Sequence, residues 1–335
     1  MKVLQTVNTA FVVSLDIETC RVKDKFSDLD EGTKSAWGYK NKQDGVVPEV
    51  EVLSQMWEKN SALYAEFSKI CAVSLTYLDS SGKAICKEFY GQNELELLSA
   101  LQITLNNMNT YSKEYRLVGH AAKYFDYPYL CKRYVINGLS IPTALDTTAM
   151  KMWDNKNLCT NDLWKMGGTG SGSSLQALCN VLGIPTSKLD LVGDEVGAAY
   201  FKGEYQRIGR YCSLDTIATF NVIRRFKGES IFSFDEVNYI TAYSDDTTEK
   251  EAVVEQPLLK KLLEDKVFTP EIKEEIRNTL KKKKATKKDK EAVGQIILAC
   301  YLEKIDIMDY TDVKNEKTSI NITRKQEVED FIKSI

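Results

Sequence analysis

Two acidic residues stand at the end of an apolar, β-branched run. Residues 11–17 read Phe-Val-Val-Ser-Leu-Asp-Ile, and Glu18 follows. A strand alternates its side chains with period two, so Asp16 and Glu18 share one face. Two carboxylates on one side of a buried strand are costly unless a charge compensates them, and a divalent cation is the natural compensator. Spacing alone is a weak signal, because Asp28 and Asp30, Glu49 and Glu51, and Glu94 and Glu96 repeat it. The apolar run sets Asp16 and Glu18 apart. Farther along, Asp126 opens a predicted helix, where free backbone N–H groups favour a carboxylate. Tyr211 and Asp215 are four residues apart, hence on one helical face. Taken singly, a helix cap and a core tyrosine beside a polar residue are the plainer readings. Taken jointly, three separate segments each carry an acid that can face a common point.

Other chemistries are poorly supplied. His120 is the single histidine and no Gly-x-Ser-x-Gly turn is present, so a Ser-His-Asp or Cys-His hydrolase lacks parts. The eight cysteines contain no Cys-x-x-Cys pair, which argues against a structural zinc site and for reduced, buried thiols. Acid–base work must fall to carboxylates, tyrosine, lysine or a metal's water. The formal net charge of −3 is not that of a protein that coats nucleic acid, although local distribution matters more than the sum. No apolar run reaches the roughly 18 residues of a membrane span. The first residues do not form a secretory signal, so the expected location is the cytoplasm.

The elements that must position these residues follow from pattern. Residues 11–17, 70–78, 84–90 and 116–120 read as strands, with 70–90 an antiparallel hairpin turned at Asp79-Ser80-Ser81-Gly82-Lys83. Residues 21–50 read as a long loop and 51–66 as a helix. Asn93 caps a helix to about 107. Further helices are expected over 125–137, ended by Asn137-Gly138, over 175–182 behind Ser174, and over 204–226. A short strand near 143–146 and a helix through 152 lie between, and 166–174 is a glycine-rich flexible loop. This order predicts an α/β mixed sheet with helices on both faces. The character changes near 228–235. The expected division is an α/β domain over 1–230 and a small, mostly helical, lysine-rich extension over 231–335.

The motifs together resemble the DEDDy branch of the 3′–5′ exonuclease superfamily, specifically exonucleases related to the proofreading domain of family-B DNA polymerases. Asp16-Ile17-Glu18-Thr19 matches the first motif, Asp-x-Glu. The stretch Gly119-His120-Ala121-Ala122-Lys123-Tyr124-Phe125-Asp126 matches the second, and Tyr211-Cys212-Ser213-Leu214-Asp215 the third, Tyr-x-x-x-Asp. The resemblance covers roughly residues 10–228. It departs at Ala121, where the superfamily usually carries Asn. It implies a ribonuclease-H-like sheet of five strands, one antiparallel.

The resemblance also implies a mechanism and partners. Two Mg²⁺ or Mn²⁺ ions, about 3.5–4 Å apart, brace the attacking and leaving oxygens. Asp16 bridges them, Glu18 and Asp215 complete the site that activates water, and Asp126 supports the second ion. Tyr211 orients the water, and hydrolysis at a DNA 3′ end releases nucleoside 5′-monophosphates. Thr19 and Phe125, and Lys281, Lys282, Lys283 and Lys284 in the lysine run, are candidate nucleic-acid contacts; a solvated surface is the alternative for the lysines. Tyr124 and Tyr127 are candidates to stack on bases, with helix packing as the alternative. A DNA polymerase or another replication protein is the implied partner, in proofreading or repair. Two alternatives remain: an exoribonuclease on the same site, and a catalytically weak binding module.

Overall fold

The computed structural model describes residues 7–245, apart from 113, 148–149, 151–154 and 187–190. Its strands are β1 (Val12–Arg21), β2 (Ser68–Leu78), β3 (Ala84–Tyr90), β4 (Arg116–Gly119), β5 (Leu158–Cys159) and β6 (Asn238–Ser244), in the sheet order β5-β4-β1-β2-β3-β6. β2 runs antiparallel to β1 and β3, whereas β1–β4, β4–β5 and β3–β6 are parallel pairs. A single antiparallel strand in a mixed sheet is compatible with the ribonuclease-H-like fold. The strand count is six where five were expected, because Asn238–Ser244 adds a parallel edge beside β3.

The helices are α1 (Glu31–Lys40), α2 (Val50–Asn60), α3 (Glu94–Tyr111), α4 (Asp126–Ile136), α5 (Thr160–Trp164), α6 (Leu175–Leu182), α7 (Val196–Phe201) and α8 (Tyr205–Lys227). α3 and α4 pack one face of the sheet. Val13, Leu15 and Ile17 of β1, Val73 and Leu75 of β2, and Leu97, Leu98, Leu101 and Leu130 of the helices form its core. Full burial of each such side chain contributes about 1.5–3 kcal/mol, far more than helix propensity does. α8 covers the opposite face. It is partly polar there: Ser74 meets Ser213 and Thr76 meets Thr216, each hydroxyl pair at 2.9 Å. Gly228, with φ +74°, ends α8 after a basic last turn.

Two local expectations fail for identifiable reasons. α1 lies inside the expected loop of 21–50. Its Gly32 and Gly38 weaken the helical pattern, but Asp30 caps it and Trp37 is buried edge-on against Trp57 at 5.3 Å. The strand expected near 143–146 is instead a turn behind Pro142, closed by the Leu145 N–H to the Pro142 oxygen at 2.9 Å. The place beside β4 goes to Leu158–Cys159, and the Asn157 side chain bridges Leu117 N–H to the Ala144 oxygen. After β6, Asp245 accepts from the Gln92 and Asn93 N–H groups at the start of α3. Of the mostly helical extension expected over 231–335, residues 231–245 hold β6, which pairs with β3, and the remainder, with Lys281–Lys284, lies outside the described residues. Among those described, no helix is long and apolar enough to cross a membrane.

Candidate active site

β4 pairs with β1 only over Val12–Ser14, so β1 runs on past the end of its parallel neighbour. The free stretch follows the carboxyl end of β4, the end of parallel strands at which α/β sheets commonly bind ligands. Asp16 and Glu18 stand on this free stretch and face α8. Asp126, the first residue of α4, reaches this stretch of β1. Its Oδ1 accepts a hydrogen bond from the Ile17 N–H at 3.2 Å. The sheet edge that β4 leaves unpaired is thus closed by a carboxylate. From the other side, α8 carries Tyr211, Cys212 and Asp215. The Cys212 thiol donates to the Asp16 main-chain oxygen at 3.3 Å and lies 3.7 Å from Asp16 Oδ2.

Ligand atoms of Asp16, Glu18 and Cys212 all lie within 4.8 Å of one another. Asp126 and Asp215 are not in this tight group, but their charges act on it. Burial raises the Asp16 carboxyl well above its usual range, with further contributions from Asp126, Asp215 and Glu18. Burial likewise raises Glu18, helped by Asp215 and then Asp126. Asp126, 6% exposed, is pushed up to about 7 by desolvation, against the stabilising hydrogen bond from Ile17. Two like charges 4.8 Å apart repel by about 3.5 kcal/mol at an effective dielectric of 20, and less where water screens them. Among the described residues, neither Asp16, Glu18 nor Asp126 forms an ion pair with a lysine or arginine. Asp16, Glu18 and Cys212 thus form a group of side chains that could hold a metal ion.

Tyr211 is buried, and desolvation followed by the charges of Asp215, Glu18 and Asp16 raises its phenol, so its hydroxyl keeps its proton. Tyr127 is buried beside the acids, and its hydroxyl has no hydrogen-bond partner among the described residues. It packs in the core and does not offer a face for stacking. Tyr124 is exposed, and its hydroxyl donates to Asp162. Phe125 is half-buried against Tyr129, ring centroids 5.2 Å apart. Thr19 donates its hydroxyl to the Ala62 oxygen at 2.9 Å. His120 is structural, its ring nitrogens bonded to Thr160 Oγ1 and the Ser173 oxygen. Ala121 adopts a left-handed backbone, φ +63°.

Cys212 escapes a reading of the sequence because a thiol in an apolar helix reads as core. Its position three residues before Asp215 is the available signal, since i and i+3 share a helical face.

The family of predicted 3′–5′ exonucleases related to the exonuclease domain of PolB matches residues 60–256. The chain belongs to this family. The match spans Asp126, Tyr211 and Asp215 and begins after β1, which carries Asp16 and Glu18. Membership makes a nucleic acid the substrate class of this exonuclease-type nuclease. Comparison with curated proteins gives no match.

Proposed function

We propose that the protein is a metal-dependent exonuclease that removes nucleotides from the 3′ end of single-stranded or frayed DNA, in replication proofreading or repair. The observation that carries this reading is the convergence of Asp16, Glu18, Asp126 and Asp215 with Tyr211 at the free end of β1. An all-oxygen set of carboxylates suits a hard divalent cation such as Mg²⁺ or Mn²⁺. The raised carboxyl groups of Asp16, Glu18 and Asp126, none of which forms an ion pair with a lysine or arginine among the described residues, fit the same group. Those three and Asp215 would hold the metal, two ions by analogy with the exonuclease superfamily. When bound, divalent cations compensate the charge of the phosphate and ease proton loss from the attacking water.

The chain's own residues supply the remainder. Asp126 is fixed by Ile17, so its carboxylate is held to the strand that bears Asp16 and Glu18. Tyr211 keeps its proton and therefore orients the water or a phosphate oxygen as a hydrogen-bond donor. It does not act as the base. Cys212 donates to Asp16 and limits where the strand carboxylate can swing. Thr19 and Phe125, each next to one of the acids in sequence, are candidates to contact the terminal nucleotide.

The test uses 5′-labelled single-stranded DNA and RNA of one sequence, with Mg²⁺ or EDTA. Stepwise shortening of the DNA from its 3′ end, abolished by EDTA, is the expected outcome. Equal or faster shortening of RNA identifies an exoribonuclease on the same site. Binding without degradation identifies a binding module and refutes the enzyme.

A further inference from the structure

Two buried carboxylates stand outside the acid cluster among the described residues: Glu94, paired with Arg133, and Glu88 on β3, which is 6% exposed. Strand register places it in a row with the site: Asp16 pairs with Ser74, and Ser74 pairs with Glu88. Side chains directly opposite on adjacent strands share a face, so all three point toward α8. Ser74 and Ser213 meet hydroxyl to hydroxyl at 2.9 Å, and the Ser213 hydroxyl donates to Glu88 Oε1 at 2.9 Å. Arg210, one residue before Tyr211, pairs with the same Oε1 at 3.4 Å. Its guanidinium lies over the Tyr239 ring of β6, 3.5 Å from the centroid.

We propose that Glu88 is a positioning residue for the proposed reaction: through Arg210 and Ser213 it fixes the rotation and axial position of α8, and so the placement of Tyr211 and Asp215 over Asp16 and Glu18. The inference rests on the exonuclease reading of that site. Arg210 and Ser213 bracket Tyr211, and Cys212 between them is tied to Asp16. The helix is thus pinned to β3 on one side and β1 on the other, across the stretch that carries the third motif. An apolar helix–sheet contact distinguishes registers only by buried area. Bonds to a carboxylate are directional, and leaving a buried partner unpaired is penalised, so a polar seam selects one register. Displacing catalytic groups by about 1 Å can cost about a hundredfold in rate.

The experiment compares wild type, Glu88→Gln, Glu88→Leu and Arg210→Met on the same labelled oligonucleotide, with thermal unfolding of each. Glu88→Gln keeps an acceptor for Ser213 and is expected within about threefold of wild-type kcat, whereas Glu88→Leu is expected to fold and lose about tenfold to a hundredfold in kcat with KM within about twofold. Arg210→Met, on the exposed side of the seam, is expected to lose about threefold to tenfold in kcat and carries the test if Glu88→Leu does not fold. A folded Glu88→Leu with wild-type kcat overturns the inference, as does a fall in Tm with unchanged kcat in Arg210→Met. Equal losses in Glu88→Gln and Glu88→Leu overturn the hydrogen-bond account. An inactive wild type removes the proposed function, and the inference with it, which is distinct from an active wild type with indifferent variants.

Discussion

The Asp126 carboxylate accepts a hydrogen bond from the Ile17 N–H, at 3.2 Å, on the strand segment between Asp16 and Glu18. These residues are 109 apart in sequence, so the bond joins two motifs that no local pattern connects. Asp126 is thereby anchored to the backbone of the segment that carries Asp16 and Glu18, the three being ligands of the metal in the proposed function.

Asp16→Ala is expected to abolish exonuclease activity by at least about a thousandfold, equivalent to about 4 kcal/mol of transition-state stabilisation. The fold should survive, since the substitution removes a charge repelled by its neighbours. Turnover by the purified variant, with circular dichroism as a folding control, decides this. Undiminished turnover rules out Asp16 as a metal ligand.

Tyr211→Phe should reduce kcat by less, about tenfold to a hundredfold. The ring stays in its buried site, and only the oriented hydroxyl is lost. Because burial keeps that hydroxyl protonated, the variant's pH–rate profile should retain its wild-type shape. A profile that loses a limb would identify the phenol as the titrating group.

Stability in the absence of metal should fall as pH rises. Asp126 has a carboxyl raised from 3.8 to about 7, and Asp16 and Glu18 are raised well above their ordinary values. For such groups the folded state holds protons that the unfolded chain has released. Their contribution is therefore complete below pH 3.8 and, for Asp126, is lost as pH rises through about 7. Thermal unfolding in EDTA at pH 5 and pH 8 should show a lower Tm at pH 8. Adding Mg²⁺ or Mn²⁺ at pH 8 should restore it, and Asp126→Asn should flatten the EDTA profile. A Tm in EDTA that rises from pH 5 to pH 8 contradicts the crowded-carboxylate description.

The turn between β4 and α4 should be intolerant at one glycine and improvable at the next special position. A Cβ on Gly119 would lie 2.3 Å from Ala122 Cβ and 3.0 Å from the Leu15 oxygen, so Gly119→Ala should destabilise by about 1–3 kcal/mol. Ala121 carries the left-handed penalty of a residue with a Cβ, and Ala121→Gly should raise stability by about 0.5–1 kcal/mol. Urea midpoints measure both. A destabilised Ala121→Gly would show that the turn is not strained there.

Much of this arrangement is legible in the sequence because it is local. Period two places Asp16 beside Glu18, and the four-residue step places Tyr211 beside Asp215. The hairpin of β2 and β3 follows from its turn residues. What is not legible depends on long-range contacts. α1 is held by the packing of Trp37 on Trp57, against the pull of its glycines. β5 is two residues long, too short for any periodicity. β6 alternates well enough but lies beyond the point where composition changes, and only its pairing with β3 reveals its place. Cys212 and Glu88 read as core and as a surface acid until the register of α8 on the sheet is known.

The most direct measurement is an anomalous diffraction map of crystals grown with Mn²⁺ and a nucleoside 5′-monophosphate. The account predicts Mn²⁺ peaks within ligand distance of Asp16 and Glu18, with Asp126 and Asp215 turned toward the same site and the phosphate beside Tyr211. Mn²⁺ bound elsewhere, or a cluster that stays empty at saturating Mn²⁺, contradicts it.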